Sequence, residues 1–252
     1  MLSRLKDVAR RVRRLTRRST AFKIAKLFDR KPVVVVQVGS NDGCQGDPIA
    51  ELLRNNSKWN VIFIEPLPHI FRRLRANYPG SPKYRFENIA IAEKKERRRL
   101  YFVSDEIKKI RSDIPFWYDQ LGSFDKGHIL KHSMLLGLSR TQLEAFIASE
   151  EVPCEPLTEV LERNRITKVD LLHIDTEGYD YEVLKQVDLK TSPPKAILYE
   201  HKHLSNEDKK AAKKLLSGAG YRLQSDDVDT LAIMQSRISA TIAKLVIGTN
   251  YQ

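Results

Sequence analysis

Residues 33–48 read VVVVQVGSNDGCQGDP. A run of valines broken off by a polar stretch with three glycines predicts a strand buried on both faces, followed by a loop shaped around a ligand. In an open α/β sheet, ligands bind outside the carboxyl ends of the strands, and the first strand-to-helix turn approaches them most closely. Here that turn is Gly39-Ser-Asn-Asp-Gly43. Gly39 lets backbone and ligand touch, and Gly43 admits the backbone angle a tight turn requires. The next apolar run, WNVIFIEP, ends in Glu65, 22 residues beyond Gly43. A carboxylate at that strand tip can accept both hydroxyls of a ribose, which points to a nucleoside or nucleotide.

The dinucleotide fingerprint GxGxxG is absent, because position 41 is Asn. Asp42 and Asp47 would repel a pyrophosphate, whereas they suit a cationic ligand such as the sulfonium and amino groups of S-adenosylmethionine.

Working outward, strand-like and helix-like segments alternate. DPIAELLRNN predicts a helix with Asp47 as N-cap and Pro48 at its first position. LPHIFRRLRANY predicts a second helix and KYRFENIAIA a third strand. EKKERRR (93–99) reads as a solvated turn before LYFV. KVDLLHIDTEG, YDYEVLKQVDL, KAILYEH and SNEDKKAAKKLLSGAG continue as strand, helix, strand and helix, and YRLQSDD with DTLAIM as a hairpin-like pair. Single helices between unbroken apolar strands indicate a mostly parallel sheet covered on both faces. Residues 104–151 are too long for a plain connection and are expected to form a lid-like insertion.

The net charge of +12 is unevenly placed: residues 1–31 carry 12 Lys/Arg against 2 Asp, leaving only +2 on the remaining 221 residues. Leu2, Leu5, Val8, Val12 and Leu15 form one stripe of a basic helix, with a second short helix, AFKIAKLFDR, after it. Packing on the body or on a second subunit, or attraction to an anionic membrane surface, both suit such an extension. Nucleic acid is disfavoured, because no aromatics interleave with the arginines. The expected organisation is an extension over 1–31, a catalytic domain over 32–236 and a tail over 237–252. Two widely separated cysteines, Cys44 and Cys154, support neither a disulfide framework nor a cysteine zinc site. No apolar run has the length of a membrane span, and no apolar leader stands at the N-terminus, so a cytoplasmic location, peripheral to the membrane if the extension binds it, is the expectation.

VQVGSNDG, IFIEPLP, FENIAI, LGSF, VPCEPLTEVL, DLLHIDTEGYDYEVL and ILYEHKHLS together resemble the FkbM family of S-adenosylmethionine-dependent methyltransferases, from Val33 to Met234. The resemblance implies a class I, Rossmann-like sheet of seven mostly parallel strands with an antiparallel terminal strand and helices on both faces. It also implies S-adenosylmethionine as donor and a hydroxyl on a sugar, glycolipid or other small metabolite as acceptor. Carried over motif by motif, Gly39, Asn41, Asp42 and Gly43 would cradle the donor and Glu65 would hold its ribose. Asn88 would lie near the adenine, and Ser123 would close over the methionine end. Gln37 departs from the acidic residue common at that place, so another group must meet the donor's amino group.

At the chemical end, Asp175, Glu177, Glu200 and His201 follow two successive core strands. His201 is the expected general base, because an imidazole titrates near neutrality, with Asp175 or Glu200 orienting it or the acceptor. The three acids could instead hold a divalent metal through oxygen. His173 reads as a core histidine, and His128, His132 and His203 are individually uninformative. A nucleotide-dependent oxidoreductase or epimerase and a non-catalytic nucleotide-binding scaffold are the alternative functions.

Overall fold

The computed structural model describes residues 20–29 and 31–237. The basic stripe read in residues 1–18, its membrane-surface reading and nearly all of the C-terminal tail lie outside the described residues. Helix α1 occupies residues 20–27. Strand β1 (Val33–Val38) pairs in parallel with β2 (Trp59–Ile64) on one side and β7 (Leu171–Ile174) on the other. With β3 (Tyr84–Glu87), β8 (Ala196–Glu200), β9 (Tyr221–Ser225) and β10 (Asp229–Met234), the seven-stranded order is β3-β2-β1-β7-β8-β10-β9. Only β10 runs against its neighbours. The order reverses between β1 and β7, the place where such sheets open a crevice.

Alternation along β1 assigns its valines to two separate cores. Val33 and Val35 pack with α1, α2 (Ala50–Asn55) and α3 (Pro68–Asn77) through Ile24, Leu53 and Leu74. Val36 and Val38 pack with α6 (Leu157–Arg163), α7 (Asp180–Leu184) and α8 (Asn206–Gly218) through Val160, Val183 and Leu216. Burial on both faces is therefore the cause of the unbroken valine run. Pro68 starts α3 at a position where a missing N–H costs nothing, and Ser205 caps α8 by accepting from Asp208 N at 3.0 Å. Asp47 does not cap α2: its Oδ1 accepts from Ile49 N at 2.8 Å, and Ile49 is the N-cap.

The described part of the extension is built into the body. Ile24, Leu27 and Phe28 are buried in the core, and the Phe28 ring meets Trp59 edge-on at 5.9 Å. Phe28→Ala is expected to destabilise the fold by about 3 to 5 kcal/mol in urea titrations, the range for emptying a buried aromatic site. A loss under about 1 kcal/mol would show that α1 is dispensable.

A second sheet, β4-β6-β5, stands beside the first: β4 (Ala90–Ile91), β5 (Glu96–Val103) and β6 (Ile147–Glu155). EKKERRR is thus not wholly a turn, since Glu96–Arg99 open β5 and pair with Glu151–Cys154 of β6. Charged residues suit a strand whose outer face meets water. The insertion begins after β5 as expected but ends at Phe146, where β6 takes over. It contains α4 (Lys126–Leu130), α5 (Arg140–Glu144) and short 3-10 turns around a small core of Val103, Ile107, Tyr118, Ile129, Leu136 and Leu143.

Candidate functional site: a cleft at the reversal of strand order

An open cleft enclosing about 970 Å³, its mouth included, lies at the carboxyl ends of β1, β2 and β7. Its walls come from Gln37 to Asn41, Gln45 to Asp47, Glu65, Asp119 to Phe124 of the insertion, and Asp175 to Glu177.

Gly39 (φ 77°) sits where β1, β2 and β7 converge. Its N–H and that of Ser40 both donate to Ile64 O at 3.0 Å, and a Cβ at Gly39 would fall 1.8 Å from Asp175 O. Asn41 (φ 47°) donates its N–H to Glu65 Oε2 at 3.0 Å, and Leu67 N donates to Oε1 at 2.9 Å. Each carboxylate oxygen keeps further acceptor capacity. Burial pushes the Glu65 carboxyl up to about 7, against the pull of those two N–H groups.

Gln37 Nε2 donates to Asp47 Oδ2 at 3.0 Å and meets His173 Nδ1 at 3.0 Å. Gln37 Oε1 is buried with no hydrogen-bond partner among the described residues. His173 is buried as expected, yet it also lines the cleft.

Of the residues the sequence singles out, Gly39, Asn41, Glu65, Ser123, Asp175 and Glu177 line the cleft, whereas Asp42, Gly43, Asn88, Glu200 and His201 do not. Asp42 Oδ1 accepts from Cys44 N (2.8 Å) and Gln45 N (2.9 Å), which shapes the turn. Gly43 is packed under Tyr78, whose ring a Cβ would approach to 2.5 Å. Asn88 Nδ2 donates to Glu65 O (2.8 Å) and Pro66 O (3.0 Å), holding the strand end. His201 turns away: its N–H donates to Val228 O at 3.0 Å and its Nδ1 pairs with Thr230 Oγ1 at 3.0 Å.

Carboxylate oxygens of Asp175, Glu177 and Glu200 lie within 4.8 Å of one another. Burial, then the charges of Asp175 and Glu177, hold the Glu200 carboxyl well above its ordinary range. Asp180, fully buried behind them, is pushed up to about 8 by burial and by Asp175. It accepts from Thr176 Oγ1 at 2.9 Å and Glu200 N at 3.2 Å, tying the ends of β7 and β8 together.

A cluster that the sequence did not disclose adjoins these acids. His128 Nε2 is 3.1 Å from Glu177 Oε2, His203 Nε2 is 3.5 Å from the same oxygen, and His132 packs against both rings. The spacing of His128 and His132, one helical turn apart, was the available signal. Its partners arrive from 45 and more residues away, on Glu177 and His203.

A seven-stranded sheet with one antiparallel strand, helices on both faces and a cleft at the reversal of strand order is the architecture of class I methyltransferases. A family model described as the methyltransferase FkbM domain matches residues 37–223, and the chain belongs to that family. Among solved structures, Methanococcus jannaschii fibrillarin, a pre-rRNA processing protein, is similar at 14% identity and TM-score 0.39 over 81% of this chain; the chain spans 66% of that protein. A chain from the complex between the Haloferax volcanii Trm112 methyltransferase activator and a candidate methyltransferase is similar at 10% identity and TM-score 0.39, over 86% of this chain and 89% of that one. No curated protein matches. No helix among the described residues is long and apolar enough to cross a membrane.

Proposed function

We propose that the protein transfers a methyl group from S-adenosylmethionine to a hydroxyl of a small metabolite or sugar moiety. The cleft residues fit the donor. Gly39 lines the cleft and, lacking a Cβ, lets the Asp175 backbone close in beside it, Glu65 would accept the ribose hydroxyls, and Gln37 Oε1, a buried acceptor, would take the donor's ammonium with the Asp47 carboxylate close by. Gln37 and Asp47 together answer for the acid missing at position 37.

When bound, the donor supplies an electrophilic methyl on a positively charged sulfur. The protein's part is to align the acceptor, remove its proton and keep water out. Asp175 carries the hydroxyl reading, being a carboxylate on the cleft wall with Glu177 and Glu200 around it. Asp175 would take the proton of the acceptor hydroxyl as methyl transfer proceeds. Phe124 and Tyr179, both on the wall, share the Arg98 guanidinium, which lies 3.8 Å from the Phe124 ring centre. Aromatic faces and a cation suit a sugar ring or a glycolipid headgroup. The insertion walls the cleft through Asp119 to Phe124, which favours a small acceptor over a folded macromolecule.

Calorimetric titration with S-adenosylhomocysteine tests the donor assignment, and NAD should give no heat. Affinity should rise about tenfold from pH 6 to pH 8, because a carboxyl titrating near 7 must be ionised to accept both ribose hydroxyls. Glu65→Ala should weaken binding by about 1 to 3 kcal/mol, and Glu65→Gln should flatten the profile. Binding of NAD in preference to S-adenosylhomocysteine would overturn the reading, and a flat wild-type profile would remove Glu65 from the ribose site.

A further inference from the structure

We propose that His128, His132, His203 and Glu177 form a binding site for a divalent transition-metal cation, of the kind that imidazole nitrogen prefers. The ligands come from three separate parts of the chain. His128 stands in α4 of the insertion and His132 in the turn just after it, Glu177 follows β7, and His203 follows β8. One ligating atom from each lies within 4.8 Å of the others. Ring centres are 5.0 Å apart for His128 and His132, 4.9 Å for His128 and His203, and 5.1 Å for His132 and His203. Three imidazoles facing one another around a carboxylate are poor filling for a core, since each brings polar nitrogens that must be satisfied. Around a cation they are its ordinary coordination set.

The hydrogen bonding supports this. His132 Nδ1 lies 3.0 Å from His128 O. A carbonyl oxygen only accepts, so Nδ1 carries the proton and Nε2 presents its lone pair. That is the tautomer metal-binding histidines adopt, with the outer nitrogen donating to a backbone carbonyl.

Backbone geometry adds a second observation. Glu177 is a non-glycine residue at φ 51°, an arrangement kept where the surroundings dictate it. Gly178 follows at φ 102°, and a Cβ there would stand 3.3 Å from His203 O and 3.8 Å from His128 Nδ1. The turn is thus folded closely beneath the imidazoles, and Glu177 Oε2 meets two of them.

Three nitrogens and one carboxylate oxygen favour zinc, manganese(II) or iron(II) over magnesium, which takes oxygen ligands and retains water. The set differs from the all-carboxylate group Asp175, Glu177 and Glu200, sharing only Glu177. Since Glu177 also lines the cleft, the cation would fasten the insertion to the sheet edge at the acceptor end. Cation binding stands apart from the methyl-transfer reading; an effect on turnover rests on it.

The test is calorimetric titration of chelator-stripped full-length protein with zinc, manganese and magnesium chlorides. S-adenosylhomocysteine is titrated in parallel as the readout of an intact cleft. One saturable site for zinc or manganese is expected, with magnesium at least about 100-fold weaker. His132→Ala and His203→Ala should each weaken zinc binding by 100-fold or more, and His201→Ala should leave it unchanged. The His203→Ala chain should still bind S-adenosylhomocysteine. Equal zinc affinity in the wild type and in the His132→Ala/His203→Ala double variant, or a preference for magnesium, would overturn the proposal. Zinc binding without S-adenosylhomocysteine binding would leave the cation site standing and sink the donor assignment.

Discussion

Gly39→Ala is expected to destabilise the fold by about 2 to 5 kcal/mol, the sum of an overpacking cost of about 1 to 3 and a backbone-strain cost of similar size, and to abolish measurable S-adenosylhomocysteine binding. Two effects act together. An alanine at φ 77° occupies a region that L-residues avoid, and its methyl would stand 1.8 Å from the carbonyl oxygen of Asp175. The obstruction is backbone at the tip of β7, which cannot rotate aside as a side chain can. Relief requires β1 and β7 to part at the point where Asp175 N donates to Val38 O at 2.9 Å. Gly80→Ala is the internal control. Its φ of 64° carries similar conformational strain, but a Cβ there meets nothing within 4 Å, so the loss should stay near 1 kcal/mol. Equal losses at the two positions would show that strain alone governs and that the close approach at Gly39 is relieved easily.

Asp175→Asn is expected to lower kcat by about 10² to 10⁴, the usual effect of removing a general base, while S-adenosylhomocysteine affinity stays within about twofold. The asparagine keeps the shape of the cleft wall and removes the carboxylate proposed to receive the acceptor's proton. His201→Ala should turn over at nearly the wild-type rate, because its imidazole is committed to Thr230 and does not line the cleft. This reverses the ranking of the two residues that the sequence suggests. An inactive His201 variant alongside an active Asp175 variant would restore it. The measurement is methyl transfer under saturating donor with the cognate acceptor, or donor hydrolysis until that acceptor is known.

The sheet and the part of the cleft formed at the ends of β1 and β2 are legible because both rest on short-range signals. Four valines split between two cores, a glycine turn and an acid at the next strand tip announce themselves within some thirty residues. The other end, where the histidine cluster lies, is not legible, because it is assembled from the insertion and two strand-end loops that share no local pattern. EHKH shows why spacing alone misleads there. Past the end of β8, residues 201 and 202 are held by Val228 O, whereas His203, two residues on, enters the histidine cluster. Glu96–Arg99 were misjudged for a different reason. A strand with one face in water needs no apolar run, so charge hid its pairing with β6.

The pairing of β1 with β7 has a consequence for how the chain is made. Val34 N donates to a carboxylate of Asp170, a residue 136 positions further along, and the strand partners that follow are just as distant. At about 5 to 20 residues per second, the valine strand leaves the ribosome some 7 to 27 s before the segment that covers its second edge. For that interval a row of N–H and C=O groups without their strand partners, on an apolar valine-rich segment, is open to any neighbouring chain. Raising the chaperone level during expression is expected to increase soluble yield, and an unchanged yield would show that this edge is not a point of loss.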